Sequence, residues 1–410
     1  MFYSFSIIFL LAAIISVVNH KWLKLPSTIG SLILALMSTL LVISTQFYSP
    51  SFYQQTCNIV QDSNFSDLLL NIMLSFLLFA GSIHIDIRKL LKEKTPILTF
   101  ASFGILINTV LFGGLFYFGS QLLSLDLPLM VCMLLGSIIS PTDPIAVLAI
   151  LKTAGISESL ELRIEGESLF NDGFGVVVFT VILAIVENNV HGPILNEIGL
   201  IFLHEVLGGL LFGLVLGYIA KHLLLAVVQD SKLTIMVTIA IVMGGYAIAH
   251  TIGVSGLLSM VMLGLYLGHF INSDQYPKIL KSKINELWEV LDYSLNVILF
   301  VLIGVSMHVV EFDIMVLVGA LAAIIIMLFS RYISVVLSSF VIDIKSIYQQ
   351  KTSLILTWGA LRGGISLALV MSLAESSYRS TLLTIVFIIV VFSILVQGLT
   401  LGKVVKNLSK

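Results

Sequence analysis

Long apolar stretches, each about as long as a membrane-crossing helix, recur along the whole chain. A helix needs roughly 20 apolar residues to cross the ~30 Å hydrocarbon core of a bilayer, and it satisfies its own backbone hydrogen bonds there. Among the 410 residues, 58% are apolar and 11% are charged, whereas soluble domains have about 25% charged residues. The sequence therefore predicts an all-α polytopic membrane protein in which residues 1–410 form one transmembrane domain within the lipid bilayer.

Thirteen apolar runs follow one another with short connections, so no soluble domain is expected. The first run, MFYSFSIIFLLAAIISVVN, lacks the basic start and the cleavage site of a secretory signal and is interpreted as a retained span. The predicted spans cover residues 1–19, 27–47, 68–85, 96–120, 127–151, 167–187, 198–220, 233–250, 254–270, 287–307, 315–340, 352–372 and 380–402.

Basic residues alternate sharply between the connections. Cytoplasmic loops of membrane proteins carry an excess of lysine and arginine. Eighteen of the 21 basic residues fall in every second connection, the intervening connections contain only Arg379, and Arg331 and Arg362 lie within runs. This pattern predicts an N-terminus outside and a cytoplasmic C-terminus in a bacterial-type inner membrane, with Arg331 extending toward the cytoplasmic surface. The formal net charge of -2 gives no field that would attract nucleic acid.

Helix-breaking sequence interrupts two runs near their middle. Span 5 contains SPTDP at residues 140–144, and span 12 contains GALRGG at residues 359–364. The two spans lie seven apart and run in opposite directions. Interrupted helices at matching positions of oppositely oriented halves are typical of inverted-repeat transporters with a site near the midplane. We therefore predict that spans 1–6 and 8–13 form inverted repeats whose broken helices cross there.

The break in span 5 places freed backbone carbonyl groups beside a carboxylate. Its two prolines lack N–H donors and push the residues before them, Ser140 and Asp143, toward extended geometry. Carbonyl groups near Thr142 thereby lose their helical partners. A hard cation binds oxygen ligands of this kind, while a simple proline kink in a membrane helix is the alternative interpretation.

Polar side chains at the start of span 6 lie on adjoining helical faces. At 3.6 residues per turn, Ser168 and Asp172 share one face, and Glu167 and Asn171 share the next. A charged group inside a span costs roughly 2.5–3.5 kcal/mol on insertion scales. A functional role is therefore the first hypothesis for each such residue. For Glu167 the alternative is a charge at an interfacial helix start. Arg362, in the break of span 12, needs an acidic partner, and span 6 offers one.

Three motifs lie at the two breaks and at the start of span 6: SPTDPIAVLAIL, ESLFNDGFGVVVF and WGALRGGISLAL. Together they resemble the sodium/proton exchanger family of monovalent cation:proton antiporters. LLFAGSIHIDIRKL and the absence of a long tail resemble its short bacterial branch. The resemblance implies a secondary transporter rather than an enzyme, with no cofactor besides the transported Na+ and H+. Carried over by motif, it implies a Na+ and H+ site formed by Asp172, Asp143, Ser168, Thr142 and Asn171, and a structural ion pair between Glu167 and Arg362.

The number of titratable acids predicts the stoichiometry. The Asn171–Asp172 pair supplies one titratable acid, whereas the matching position in electrogenic relatives resembles a pair of two aspartates. At one carboxylate, H+ and the cation compete, and burial favours the proton by disfavouring the charged form. We therefore expect electroneutral one-for-one exchange by alternating access. One departure from the family is Ala80 in span 3, where some relatives have an acidic residue.

The resemblance also implies which helices move. Residues 68–187 and 315–402 would contain the helices of an ion-binding bundle, which rocks against scaffold and dimerisation helices in residues 1–47 and 233–307. A homodimer is expected from the resemblance alone.

Other functions stay open at this point. Oxygen ligands do not reveal the size of the ion cavity, so K+/H+ antiport is the main alternative, and Li+ is open as a further substrate. The motif GVSG at residues 253–256 has the serine pattern of an intramembrane protease, in which His250 or His269 would activate Ser255. Close helix packing is the simpler interpretation of this motif. Three further polar residues fit either an ion path or helix-end polarity: Glu205, Asp292 and Asn296.

Overall fold

Helices make up the regular structure of the part of the chain that the computed structural model describes. Nine of the described helices are long and apolar enough to cross a membrane, and three further apolar helices are shorter. The predicted all-α multi-pass fold is thereby confirmed, and the count of thirteen spans stays a prediction. The described residues are 2–51, 72–143, 147–148, 151, 156–187, 194–273, 276–309, 313–341 and 350–408.

Eight helices precede the Asp230 connection in the described part of the chain. The first continues as a π-helix through Leu23, and the seventh begins where the Ser157 side chain accepts the Leu160 backbone N–H at 3.3 Å. Residues 68–71, at the start of the third predicted span, lie outside the described residues. The helices are α1 (Phe2–Val18), α2 (Ser27–Ser44), α3 (Leu74–Ile83), α4 (Ile87–Lys92), α5 (Lys94–Leu122), α6 (Leu129–Ile139), α7 (Glu158–Val186) and α8 (Ile194–Ala226).

Eight more described helices complete the chain. The Asp230 side chain caps the first of them by accepting the backbone N–H groups of Lys232 and Leu233. The last one follows a π-helix over Ser393–Gly398. The helices are α9 (Ser231–Thr251), α10 (Gly256–Ile271), α11 (Lys278–Val305), α12 (Ile314–Val341), α13 (Gln350–Trp358), α14 (Gly364–Met371), α15 (Arg379–Phe392) and α16 (Leu399–Leu408).

Two apolar cores lie on either side of α7. The first joins α5, α6, α12, α14 and α15, and the second joins α1, α3, α7, α10 and α11. Helix α7 contributes Phe174 to the second core and Phe179 to the first. Helix α7 begins at Glu158, before the predicted span, so the polar residues predicted for the start of span 6 lie near the middle of α7, where two groups of helices meet.

The helix α6 ends next to the break of span 12. Its last residue is Ile139, α13 ends at Trp358, and α14 begins at Gly364. Between these ends, the backbone N–H of Asp143 donates to the carbonyl oxygen of Leu361 at 2.8 Å. The two breaks thus touch through their main chains, as the inverted-repeat prediction requires of crossing helices. Pro144 and most of the residues up to 155 lie outside the described part of the chain.

Close contact between α5 and α6 fixes the position of the first break. A Cβ atom at Gly136 would lie 2.6 Å from the Thr109 carbonyl oxygen, so only glycine lets the two backbones approach this far. The approach brings the end of α6 within reach of polar side chains on α5. Asn108 Nδ2 donates to Ser140 Oγ at 2.9 Å, and Thr109 Oγ1 lies 3.1 Å from the same oxygen.

Candidate ion-binding site

Thr142 is held by two side chains of α7. Asn171 Nδ2 donates to Thr142 Oγ1 at 2.8 Å, and the Thr142 backbone N–H donates to Asn171 Oδ1 at 3.3 Å. The Ser168 hydroxyl donates to the Thr142 carbonyl oxygen. All three residues are buried. The polar face predicted for the start of span 6 therefore packs directly against the span 5 break, and it holds an oxygen-rich segment in place.

Asp143 and Asp172 line the same cavity. This ion cavity has a volume of about 570 Å³ and also includes Thr142 in its wall. Asp172 is 8% exposed, so its carboxylate lies at the deep end, whereas Asp143 is half-buried. The structure thus brings together two carboxylates and the backbone of the break, which is the oxygen-rich environment that a hard cation needs.

Gly363 allows the Asp143 carboxylate to lie against the second break. A Cβ atom at Gly363 would be only 2.5 Å from Asp143 Oδ2. Any side chain here would displace the carboxylate. The glycines of the span 12 break therefore contribute to the site by leaving space as well as by interrupting the helix.

The buried ion pair of α7 involves a different arginine from the predicted one. Glu167 Oε1 lies 2.5 Å from Arg331 Nη2 on α12, and both residues are buried. Arg331 thus does not extend to the membrane surface, so that prediction is wrong. The predicted Glu167–Arg362 pair is corrected to a Glu167–Arg331 pair, because α12 presents Arg331 directly to α7.

Arg362 instead satisfies the carbonyl groups that the prolines leave free. Its Nη1 donates to the carbonyl oxygens of Ser140 at 2.5 Å and Pro141 at 3.0 Å. In an uninterrupted helix, these oxygens would accept from the residues four positions further on, of which the first is the proline at position 144. The guanidinium group therefore offsets the partial negative charge of the free carbonyl groups at the end of α6, and it joins the second break to the first.

Two residues of the π-helix after α15 hold Arg362 in place. Its backbone N–H donates to Ser393 Oγ at 2.8 Å, and the Ser393 hydroxyl donates to Gln397 Oε1 at 2.8 Å. Gln397 Nε2 in turn donates to the Trp358 carbonyl oxygen at 3.1 Å. Sequence reasoning missed both residues. The available signal was the presence of two polar residues in an otherwise apolar run.

A further polar network connects the first break to α5 and α12. Asn108 donates to Ser140 as described above, and Asn108 Oδ1 accepts from Ser330 Oγ at 2.9 Å. Ser330 precedes Arg331 on α12, so adjacent residues of this helix serve the break and α7. Asn108 was not predicted as a site residue, and its position within an apolar run was the available signal.

The ion cavity continues from the site toward an acidic entrance, where its lining residues are more exposed. Asp292 and Asn296 line it from α11, and Asn296 Nδ2 donates to Asp292 Oδ1 at 3.1 Å. Glu165 is half-buried there, and Glu289 is exposed. Of the residues whose role was open, Asp292 and Asn296 therefore lie along the ion cavity, whereas Glu205 is not among its lining residues. Ala80 also lines the cavity, so the position that departs from the family pattern faces the site.

Ser255 is the N-cap of α10. It is buried, and its Oγ accepts the Leu258 backbone N–H at 3.3 Å. Gly209 of α8 packs against it, with a hypothetical Cβ only 2.7 Å from the Ser255 carbonyl oxygen. His250 and His269 are both exposed. The motif around Ser255 therefore serves helix capping and close packing.

Carboxylates that line a cavity beside the ends of α6 and α13, within a multi-pass membrane protein, are typical of a membrane transporter. Residues 7–407 match the family model described as sodium/hydrogen exchanger, transmembrane. The chain belongs to this family, whose members are transporters rather than enzymes, and the protease alternative is therefore wrong.

Curated relatives match over nearly their whole length. The chain is 36% identical to the Na(+)/H(+) antiporter NhaP of Pseudomonas aeruginosa, over 97% of this chain and 95% of the relative. It is 32% identical to the Na(+)/H(+) antiporter NhaH of Halobacillus dabanensis, over 98% and 97% of the two chains. Among solved structures, the sodium proton antiporter MjNhaP1 of Methanocaldococcus jannaschii superposes with a TM-score of 0.76 at 20% identity, covering 99% of this chain and 98% of that one. This likeness shows the shared fold.

Proposed function

We propose that this protein exchanges Na+ for H+ across the inner membrane. The observation that carries the proposal is the single cavity into which Asp143, Asp172 and the Thr142 segment all project. The names of the two curated relatives support the same activity. A secondary transporter of this kind needs a site that faces one side of the membrane at a time and that holds either ion, but not both.

The Na+ ligands are oxygen atoms from both helices of the site. We assign the carboxylates of Asp172 and Asp143, the Ser168 hydroxyl oxygen and the backbone of Thr142 as the cation ligands. Asn171 has a different role, because both of its polar side-chain atoms are bonded to Thr142. It positions the break and does not titrate, since an amide has no acidic proton in the physiological range.

Competition at Asp172 makes the exchange electroneutral. In the sodium-loaded state, both aspartates are ionised and one Na+ is bound. In the proton-loaded state, Asp172 is neutral and Asp143 remains ionised. The two loaded states therefore carry the same net charge, and one full cycle moves one Na+ against one H+.

The hydrogen bonds of the site lie within the proposed bundle. Asn108, Ser330 and Arg331 join α5, α12 and the middle of α7 to the first break, and all lie in residues 68–187 or 315–402. The opposite wall of the ion cavity includes Asp292 and Asn296, which belong to the scaffold region 233–307. We propose that the bundle moves as a unit past this wall and carries the ion with it. The homodimer expected from the family forms through the scaffold.

The acidic entrance faces the cytoplasm in the predicted orientation. Glu289 lies about three helical turns after the first residue of α11, Lys278. It is near the start of the predicted span 287–307, and the basic residues mark the connection before this span as cytoplasmic. This conformation is therefore inward-facing. Acidic side chains at the entrance raise the local concentration of cations.

Transport by purified protein in proteoliposomes tests the proposal. Vesicles containing a pH-sensitive dye receive Na+, Li+ or K+, with and without a valinomycin clamp of the membrane potential. We expect Na+ to drive proton movement at a rate that the clamp leaves unchanged. A response to K+ alone would replace Na+ by K+ as the substrate, and a rate that depends on the clamp would contradict one-for-one exchange.

A further inference from the structure

A second cavity, of about 670 Å³, lies beside the ion cavity and is lined by basic side chains. The two cavities share His84 and Ile85 in their walls. Arg88 on α4, Lys221 on α8 and Lys281 on α11 line this basic cavity from three separate helices. Residues far apart in the chain thus converge on one space with like charges.

Among the described lining residues of the basic cavity, lysine and arginine outnumber acids. Among the described residues, Arg88, Lys221 and Lys281 form no ion pair. One acidic residue, Asp86, lines the cavity, and its Oδ1 accepts the Arg88 backbone N–H at 2.9 Å as a helix cap. The Lys221 ammonium group lies 5.4 Å from the centre of the Phe270 ring, a contact that attracts the cation without neutralising it. Three basic groups against one acid leave a surplus of two positive charges.

The basic cavity lies at the membrane surface and has apolar as well as polar walls. Lys221 is in the last two turns of α8, Phe270 is next to the last residue of α10, and Lys281 is in the first turn of α11. Tyr266 and Ile87 add apolar surface. Basic pockets between helices on the cytoplasmic side of membrane proteins bind the phosphate groups of anionic lipids. An occupant with a phosphate and an attached apolar part matches this lining better than a small free anion does.

We propose that the basic cavity binds the phosphate-bearing headgroup of an anionic phospholipid from the cytoplasmic leaflet. Arg88, Lys221 and Lys281 contact the phosphate, and the aromatic wall contacts the glycerol region. The bound headgroup lies next to His84, where the two cavities meet. This inference concerns a site separate from the cation ligands and holds whichever cation the protein exchanges.

Thermal melting of the detergent-solubilised protein during lipid titration tests the proposal. Short-chain phosphatidylglycerol is compared with short-chain phosphatidylcholine and with inorganic phosphate. We expect phosphatidylglycerol alone to raise the melting temperature in a saturable way. The double change Lys221→Gln and Lys281→Gln should weaken the apparent affinity about fivefold for each charge removed, because each basic residue near an anionic lipid contributes about 1 kcal/mol.

A matched control separates the cavity from general surface charge. Lys278 is exposed, lies three residues before Lys281 on the same helix, and is not among the lining residues of the basic cavity. We expect Lys278→Gln to keep the response of the unchanged protein. An unaltered response of the double variant, or an equal loss in Lys278→Gln, would overturn the proposal. If inorganic phosphate reproduced the full effect, the lipid assignment would be wrong and the occupant would be a soluble anion. If the double variant does not fold, Arg88→Gln repeats the test at an exposed position.

Discussion

Glu167 on α7 and Arg331 on α12 form an ion pair in the membrane interior, with Oε1 and Nη2 2.5 Å apart. Removing one partner of a buried pair leaves the other charge without compensation and costs roughly 3–5 kcal/mol, whereas replacing both partners is often nearly neutral. We therefore expect Glu167→Gln and Arg331→Gln each to lower the melting temperature clearly, and the double change to recover much of the loss.

A double-mutant cycle with Arg362 provides the control for this pair. Arg362 bonds to the Ser140 and Pro141 carbonyl oxygens, so Glu167→Gln and Arg362→Gln should show much weaker coupling than Glu167→Gln and Arg331→Gln. Stronger coupling of Glu167 to Arg362 than to Arg331 would contradict the pairing described here.

Asp172→Asn should abolish exchange while the protein stays folded. The change removes the acid that we propose alternates between H+ and cation, and it keeps the size of the side chain. Dye-loaded proteoliposomes report the activity, and thermal melting reports folding. Asp126→Asn is a matched control, because Asp126 is exposed in a connection and has a positive φ of 47°, which asparagine tolerates. Sodium-driven proton movement by Asp172→Asn protein would disprove the role of Asp172.

Asp143→Asn should impair cation binding more than proton exchange itself. The change removes a charge next to the cation and leaves Asp172 to titrate. Contacts with a charged group contribute roughly 1.5–3 kcal/mol, so we expect the apparent KM for Na+ to rise about tenfold or more. An unchanged KM would restrict Asp143 to shaping the break.

The Glu93 carboxylate should make stability fall at acidic pH. Burial alone would raise the pKa of Glu93, but hydrogen bonds from Arg163 and Ser159 and the Arg163 charge outweigh it, and the pKa is lowered. A lowered pKa in the folded state gives stability that is present above the unfolded value of about 4.5 and is lost as pH falls through the folded value.

Melting temperature measured against pH tests the Glu93 contribution. The decrease below about pH 4.5 should be smaller in Glu93→Gln than in the unchanged protein. Glu158→Gln is the control from the same membrane surface, because Glu158 pairs with Lys89 in an exposed position and exposed pairs contribute little. An equal pH dependence in Glu93→Gln and the unchanged protein would show that the Glu93–Arg163 contact does not stabilise the fold.

Ser255→Ala should leave transport nearly normal. The loss of an N-cap typically costs about 1 kcal/mol, so a small decrease in melting temperature is expected. The same proteoliposome assay measures the exchange rate. A loss of transport in this variant would show that exchange depends on Ser255 in a way that helix capping does not explain.

Local properties of the sequence were enough to predict the membrane helices and the segments that meet at the cavity. Apolar length defines a membrane helix, and proline or glycine within a run marks a break, so residues 140–144 and 359–364 were found without any knowledge of contacts. The helical period likewise placed Ser168 and Asp172 on one face. The structure confirms that Ser168 faces the span 5 break and that Asp172 lies in the ion cavity.

Partner choice among buried polar groups could not be predicted in the same way. Two arginines lie within runs, and only the packing of α12 against α5, which leaves Arg331 within reach of α7, decides that Arg331, and not Arg362, meets Glu167. Similarly, Asn171 was predicted as a member of the ion site, and only the approach of the break to α7 decides that both of its polar side-chain atoms bond to Thr142. Such outcomes depend on distances between helices, which periodicity does not contain.

The missing side chain at position 363 limits the dimensions of the proposed coordination shell. Because a methyl group there would lie 2.5 Å from Asp143 Oδ2, the main chain of the second break forms a wall directly behind the carboxylate. A wall made of backbone cannot widen by a change of rotamer. In the proposed site, discrimination between ions of different radius therefore depends on the spacing of two backbone segments, and replacing an acidic side chain by its amide alters the charge of the site without enlarging it. Adapting the shell to a larger ion requires a shift of the glycine segment itself.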